Sequence, residues 1–428
     1  MSVVFKRTVT AENILKTEIY DNKFKTYAVK IRLTVPFVLE RNPLYSIAFE
    51  MLSTTNRKYP EREDLSRALT DLYSASISYN AVRTGGNYSY SLTLNCLCDE
   101  YTIGREVISD KAADILLDCL LDPVLDNGVF PSKNFELCRK DILDDIESVI
   151  NNKRQYSLML ARKYIYEGES SAYSPYDYKP FVEAATPESV TDAYYELLDS
   201  AVIGVDFIGG SCSESLKERV ISKLASIGRN PAKLNANISP SPLKNEVLNK
   251  EESIRASQCQ LVLAYKTEDY NEYASKLYMA MLGASTTSKL FTNVREKLSL
   301  CYYCDSILND LKHTFLISSG LEYENLDKAI EAIKAQITAM RNGDFTDEEL
   351  YNAKAYLSEA YLSNYDSKFD MCSWYFVQYL KGTNDSPEDK SRKVFALTRE
   401  DIIKEAKAYK LDTVFVCRPE RGGDDDEA

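Results

Sequence analysis

The stretch Val294-Arg295-Glu296-Lys297-Leu298-Ser299-Leu300-Cys301-Tyr302-Tyr303 is the most telling part of this chain. It opens as a charged, helix-compatible run and passes into residues that suit a strand. Just upstream stand a small-residue turn, Gly283-Ala284-Ser285, and a short helical run, Ser288-Lys289-Leu290-Phe291. Arg295 and Tyr302 lie seven residues apart. A guanidinium offers several donors in a fixed fork, which suits peptide carbonyls. A phenol adds one more donor where negative charge develops on an oxygen. The same spacing also suits an Arg in a surface ion pair and a Tyr packed into a sheet.

Outward from this stretch, the second half alternates strands and helices. Residues 258–265 read as a strand and 272–281 as a helix. Two neighbouring strands cover 301–307 and 314–318, and a helix covers 326–340. Thr346 and Glu349 form a capping box for the next helix. A helix from Thr398 and a strand at 413–417 close the half.

The first half repeats the order. Residues 26–35 are strand-like, and a helix starts near Pro43 and runs through Ile47, Phe49 and Leu52. Pro60 fits the first turn of a second helix whose apolar stripe is Leu65, Ala68, Leu69 and Leu72. Alternation over 88–97 predicts a strand, and helices follow at 112–121 and 134–166. Thr186-Pro187-Glu188 opens a last helix before the β-rich run 201–208. A Thr-capped helix followed by a strand thus closes both halves. The reading is α+β: two homologous domains, each an antiparallel-rich sheet covered by helices on one side. The expected boundaries are 1–227 and 253–421, joined by a linker at 228–252 rich in Pro, Asn and Ser, with an acidic tail at 422–428.

Composition narrows the function classes. The 428 residues are 44% hydrophobic and 27% charged, enough for full-sized cores. A net charge of −13 argues against general affinity for nucleic acid or anionic lipid. It suits solubility and tolerates basic or extended peptide partners. The start of the chain lacks the apolar core of a signal peptide, and no stretch approaches the roughly 20 apolar residues of a membrane span, so a cytoplasmic location is expected. Ten cysteines include two close pairs, Cys96-x-Cys98 and Cys301-x-x-Cys304. A zinc ribbon needs two pairs of suitable geometry. Read as strand residues, Cys301 and Cys304 point to opposite faces. Structural thiols are the expectation, with a metal or redox role as the alternative.

Other chemistry is hard to find. The single histidine, His313, cannot assemble a zinc centre that needs three or four protein ligands. A hydrogen-bonded lone His is the expectation, and Trp374 and the many tyrosines read as core. There is no phosphate loop and no Gly-x-Ser-x-Gly elbow.

The whole chain resembles the pitrilysin/insulinase zinc peptidases, especially members similar to mitochondrial processing peptidase. The specific part of the likeness is Arg295-Glu296-Lys297-Leu298-Ser299-Leu300-Cys301-Tyr302, against a family sequence like Arg-Glu-Lys-x-Gly-Leu-Ala-Tyr. Ser299 replaces the usual Gly, and Cys301 the usual Ala. The resemblance implies two related domains closing like a clamshell, with Arg295 and Tyr302 binding substrate. It also implies His-x-x-Glu-His on a first-domain helix, two imidazoles on one face holding zinc beside a general base. Here those positions align with Ser46, Phe49 and Glu50. The distal ligand region holds Asp144, Asp145 and Glu147, which suit a solvated helix face. No catalytic residue and no metal are therefore expected on this chain. Zinc is expected on a partner subunit carrying His-x-x-Glu-His, in a heterodimer that cleaves a peptide substrate. The alternative is a stand-alone inactive homologue that binds extended peptides as a homodimer, with the peptide added to a sheet edge.

Overall fold

The computed structural model describes residues 3–10 and 13–420; the acidic tail expected at 422–428 lies outside the described residues. Strand alternation sets the first sheet. In Thr26–Pro36, Tyr27, Val29, Ile31, Leu33 and Val35 all enter one core, while Lys30, Arg32 and Thr34 face the other way. The partner strand Asn87–Leu97 does the same with Tyr90, Leu92, Leu94 and Cys96 against Ser89, Ser91 and Thr93. One face is therefore apolar and covered by helices, and the other carries most of the polar side chains of these two strands. On that second face Thr34 bonds Ser89 at 2.8 Å, and Arg32 pairs with Asp206 while stacking on Phe376.

Eleven strands are present among the described residues: β1 Val4–Val9, β2 Leu15–Tyr20, β3 Thr26–Pro36, β4 Ser76–Thr84, β5 Asn87–Leu97, β6 Val202–Gly209, β7 Leu248–Ile254, β8 Cys259–Lys266, β9 Tyr303–Asn309, β10 Thr314–Leu321 and β11 Lys410–Pro419. They form a six-stranded sheet, ordered β1-β2-β6-β3-β5-β4, and a five-stranded sheet, ordered β7-β11-β8-β10-β9. Removing β1 leaves two identical topologies. In each, the first strand pairs parallel with the last, β2 with β6 and β7 with β11, and the remaining pairs are antiparallel. This is the expected pair of related α+β domains.

Of the helices, those that bear on the site are α1 Asn42–Thr54, α2 Arg62–Thr70, α3 Ser132–Ser148, α4 Lys153–Ile165 and α5 Lys368–Leu380. The compact units and the sequence halves divide the chain differently. One unit comprises 1–147, 175–237 and 365–380; the other comprises 148–174, 238–364 and 381–428. Each half thus gives one helix to the other half's sheet. In the first unit α5 supplies Met371, Cys372 and Tyr375 to a cluster with Ile19, Ala28 and Ile208, and Trp374 packs beside it. In the second, α4 supplies Leu160, Ala161 and Ile165 against Val262, Ala264, Leu316 and Phe415. Both sheets are therefore covered on two faces, not one, and β8 is buried along its whole length.

Several local expectations need correction. β1, β2, β4 and β7 lie where no strand is expected from the sequence reading above, and β7 overlaps the expected linker. The helix expected over 134–166 is broken by a 3₁₀ turn, Val149–Asn151, and restarts where the Asn152 side chain accepts from the Gln155 amide at 3.1 Å. Asn prefers such caps to helix interiors, because its carbonyl satisfies an otherwise orphaned amide. Pro60 lies ahead of its helix, whose cap is Glu61. The capping box at Thr346 forms as expected, and the Thr caps at 186 and 398 are each completed into a box, by Ser189 and Asp401. The connector is pinned within each unit: Asn87 Nδ2 donates to the Asn235 carbonyl at 2.9 Å, and Lys244 Nζ meets Asp412 at 3.0 Å.

Candidate functional site

In the first unit α1 carries the three positions aligned with a zinc motif. Ser46 is half-buried, and its hydroxyl donates back to the Asn42 carbonyl at 3.2 Å. Phe49 is 1% exposed, with its ring 5.7 Å from that of Tyr90. Glu50 is half-buried, and desolvation pushes its carboxyl up, opposed by the positive charge of Arg62. A general base needs a carboxylate where Phe49 sits, and that position is core.

Around Glu50 gather Tyr79 from β4, Arg62 from α2, and Cys138, Asp141 and Asp145 from α3, within electrostatic reach of one another. Arg62 donates to the buried Cys138 sulfur at 3.2 Å and lies 3.7 Å from Asp141. A guanidinium thus provides the local positive charge. Of the distal-region acids, Asp144 pairs with Lys140 at 3.0 Å and Glu147 with Lys179 at 2.7 Å, as on a solvated helix face. Among the described residues, no group of three or more His, Cys, Asp and Glu side chains is placed to hold a metal ion. One carboxylate, a serine and a core phenylalanine, with an arginine alongside, do not fit zinc.

In the second unit the chain from 280 to 303 builds a different surface. Two wide-turn π-helical segments, Ala280–Ala284 and Leu290–Lys297, carry it. Such segments often mark functional places, because an extra residue re-aims the side chains. The small-residue turn has a steric cause: a Cβ on Gly283 would lie 2.9 Å from the Ser306 amide nitrogen and from a Leu290 methyl. The turn after the second segment places Ser299 at φ 50°, a left-handed conformation that favours glycine. That accounts physically for the usual Gly there in the resembled family.

Arg295 sits over the Phe291 ring at 4.7 Å and 3.6 Å from Glu296, with 41% of its side chain exposed. Tyr302 is 52% exposed; its amide donates to the Gly320 carbonyl at 2.8 Å and its hydroxyl to Glu322 at 2.5 Å. The bond to Glu322 raises the phenol above its ordinary range. Both side chains therefore reach solvent from a backbone fixed by hydrogen bonds. Asp305 on β9 pairs with Arg154 at 2.5 Å, and that guanidinium also covers Tyr303 at 4.7 Å.

β9 begins only at Tyr303, so strand alternation does not govern Cys301, which is partly exposed while Cys304 is buried. His313 stacks on Tyr270 at 4.1 Å in the β9–β10 turn, with φ 49°. Its Nδ1 is buried with no hydrogen-bond partner, and burial lowers its basicity.

Comparison with known proteins agrees with these features. Residues 186–357 match the family model of the peptidase M16 inactive domain. The chain is 23% identical over 414 residues to a probable inactive metalloprotease, YmfF, of Bacillus subtilis (strain 168), covering 96% of each protein. Its fold is similar to that of a conserved protein from Enterococcus faecalis V583, with a TM-score of 0.90, 21% identity, and 99% and 100% of the two chains covered. It is also similar to a peptidase M16 inactive domain from Pseudomonas fluorescens, with a TM-score of 0.79, 15% identity, and 98% and 100% covered. No described helix is long and apolar enough to cross a membrane. The chain is thus similar over residues 186–357 to the peptidase M16 inactive domain, and it shares its fold with a solved protein of that description.

Proposed function

We propose that this protein is the substrate-holding, non-catalytic subunit of a heterodimeric zinc peptidase, presenting Arg295 and Tyr302 to a site whose His-x-x-Glu-His helix and zinc belong to a partner chain. The observation that carries this reading is the contrast between two regions of one chain. Ser46, Phe49 and Glu50 lie in a packed environment, while Arg295 reaches solvent from the segment Leu290–Lys297 and Tyr302 stands exposed just after the turn that follows it.

In this reading the Arg295 fork donates to a peptide carbonyl. The Tyr302 hydroxyl leaves Glu322 and donates to a second carbonyl oxygen, most strongly where negative charge grows. Glu322 then holds the phenol ready between turnovers. The bond to Glu322 favours the protonated phenol, so Tyr302 acts as a donor.

The test is native purification from the source cell with zinc measured in the same sample. A stoichiometric partner bearing His-x-x-Glu-His, with about one zinc per pair, supports the reading. A zinc-free homodimer without a partner overturns it in favour of a stand-alone peptide binder. In the heterodimer, Arg295→Ala and Tyr302→Phe should each lower turnover by on the order of 10² to 10³ with assembly intact. Wild-type cleavage by both variants would remove the assignment of these residues.

A further inference from the structure

The second sheet has two ends, and the one away from Tyr302 is cationic. Tyr303, Gly320 and Gln260 stand in one row across β9, β10 and β8 at the Tyr302 end. At the other end β8 finishes with Tyr265 and Lys266, opposite Leu411 and Lys410 of β11. Lys334, Thr338 and Arg341 follow one another at four and three residues on the helix Leu326–Asn342, so they share one face of it. That face, with Tyr265, Lys410 and Leu411, lines an open cavity of about 360 Å³. Sites for small molecules run from roughly 300 to 1,000 Å³, so the space suits one.

The polar groups that line the cavity are donors in need of an acceptor. Arg341 is held in place: Nε donates to the Ala406 carbonyl at 3.1 Å and Nη2 to the Tyr409 carbonyl at 2.7 Å. Its Nη1 donors stay uncommitted among the described residues. Lys334 and Lys410 are exposed, and among the described residues none of the three cations has a carboxylate partner. The chain carries 65 acidic residues against 52 basic ones, so three neighbouring cations without a counter-charge are unexpected. Tyr265 is 3% exposed, with its ring stacked on Phe315 at 4.7 Å. Its hydroxyl has no hydrogen-bond partner among the described residues, although a buried phenol normally finds one. Burial pushes this phenol up to about 12, so it keeps its proton and can donate. Thr338 spends its own proton on the Lys334 carbonyl at 2.9 Å.

We propose that this cavity is a phosphate-binding site, in which Lys334, Arg341, Lys410 and the Tyr265 hydroxyl hold a phosphoryl dianion, free or as a monoester. Three cations kept together repel one another, and a doubly charged anion relieves that repulsion. A phosphate group carries close to two charges at neutral pH and offers three terminal oxygens, which can serve donors arriving from a helix and from two strands. A carboxylate carries one charge in one plane and leaves part of this donor set unused. Ile337 and Leu411 add apolar wall beside the charged groups, which suits the organic part of a phosphate ester. The site stands apart from the peptide-holding surface, and either can fail without the other.

The test is titration calorimetry on the folded full-length chain with inorganic phosphate, phenyl phosphate and, as the control anion, acetate. The expected result is saturable binding of one phosphate compound per chain, with acetate far weaker. Tighter binding of phenyl phosphate assigns a phosphate ester, and equal binding of the two phosphates assigns the free ion; both support the site. Lys334→Ala and Lys410→Ala should each weaken binding by about tenfold or more, as lost charge-assisted bonds do. Tyr265→Phe should weaken it by roughly threefold to tenfold, the worth of one neutral hydrogen bond. Lys140→Ala, an equal loss of charge on α3, should leave the affinity unchanged. Absence of saturable binding, equal affinity for acetate, or affinities unchanged in all three site variants overturns the proposal. A measurement without variants guards against misfolding: saturating phenyl phosphate should protect Lys334 and Lys410 from acetic anhydride, read by peptide mass, but not Lys140. Equal acylation of Lys334 and Lys410 with and without the ligand would also overturn it.

Discussion

The two halves of this chain place equivalent stretches between equivalent strands, and those stretches have had opposite fates. Between β3 and β4 lies α1, where packing dominates: Phe49 is core and Glu50 faces a guanidinium. Between β8 and β9 lies the 280–303 segment, which presents Arg295 from a helical segment and Tyr302 from the hydrogen-bonded stretch after it. A scaffold can lose its metal-binding residues without losing the helix, because the helix is held by its buried face. The residues that reach solvent are free of that constraint, so their presence in the second half is the more informative.

The sharpest way to break this contrast is a paired stability measurement. Phe49→Ala should cost about 3–5 kcal/mol in urea unfolding, the usual penalty for emptying a well-packed aromatic site. Arg295→Ala and Tyr302→Phe should stay within about 0.5 kcal/mol, as exposed side chains do. A mild Phe49→Ala would mean that α1 is loosely packed and could still be a functional surface.

A smaller effect sharpens the same comparison through pH. The folded-state pKa of Glu50 is raised by desolvation, so the folded chain holds this proton more tightly than the unfolded one. Its stabilising share is therefore full below the ordinary glutamate range and is lost as pH rises through the folded value. Glu50→Gln should flatten the decline in stability above that range. Arg62→Leu, which removes the opposing positive charge, should steepen it. Identical pH profiles for all three proteins would show that Glu50 is solvated after all.

Much of this is legible in the sequence, for local reasons. Alternation marks β3 and β5, and the Thr caps at 186 and 398 mark the same corner of both domains, because amide satisfaction at a helix start is settled within four residues. The Arg295–Tyr302 stretch stands out because its side chains answer to solvent rather than to packing. What stays hidden depends on partners far along the chain. β2 and β7 are recognisable only through their parallel pairing with β6 and β11. Nothing in the composition of α4 or α5 says that each covers the other half's sheet. The strand expected from Cys301 begins two residues later, at Tyr303, so alternation over that stretch misassigns Cys301.

The smallest predicted effect is set by two terms that nearly cancel. Ser299 holds φ 50°, and an L-residue in that region costs about 1–2 kcal/mol. Glycine would remove that strain but adds about 0.4–1 kcal/mol of unfolded-state freedom. The serine hydroxyl returns little, since it reaches the Glu296 carbonyl only at 3.5 Å. Ser299→Gly should therefore stabilise the protein by about 0.5 kcal/mol and leave the turn's geometry unchanged. Destabilisation instead would mean that the serine side chain organises the turn, and that Arg295 and Tyr302 are presented by a locally specialised loop rather than by the backbone pattern the family shares.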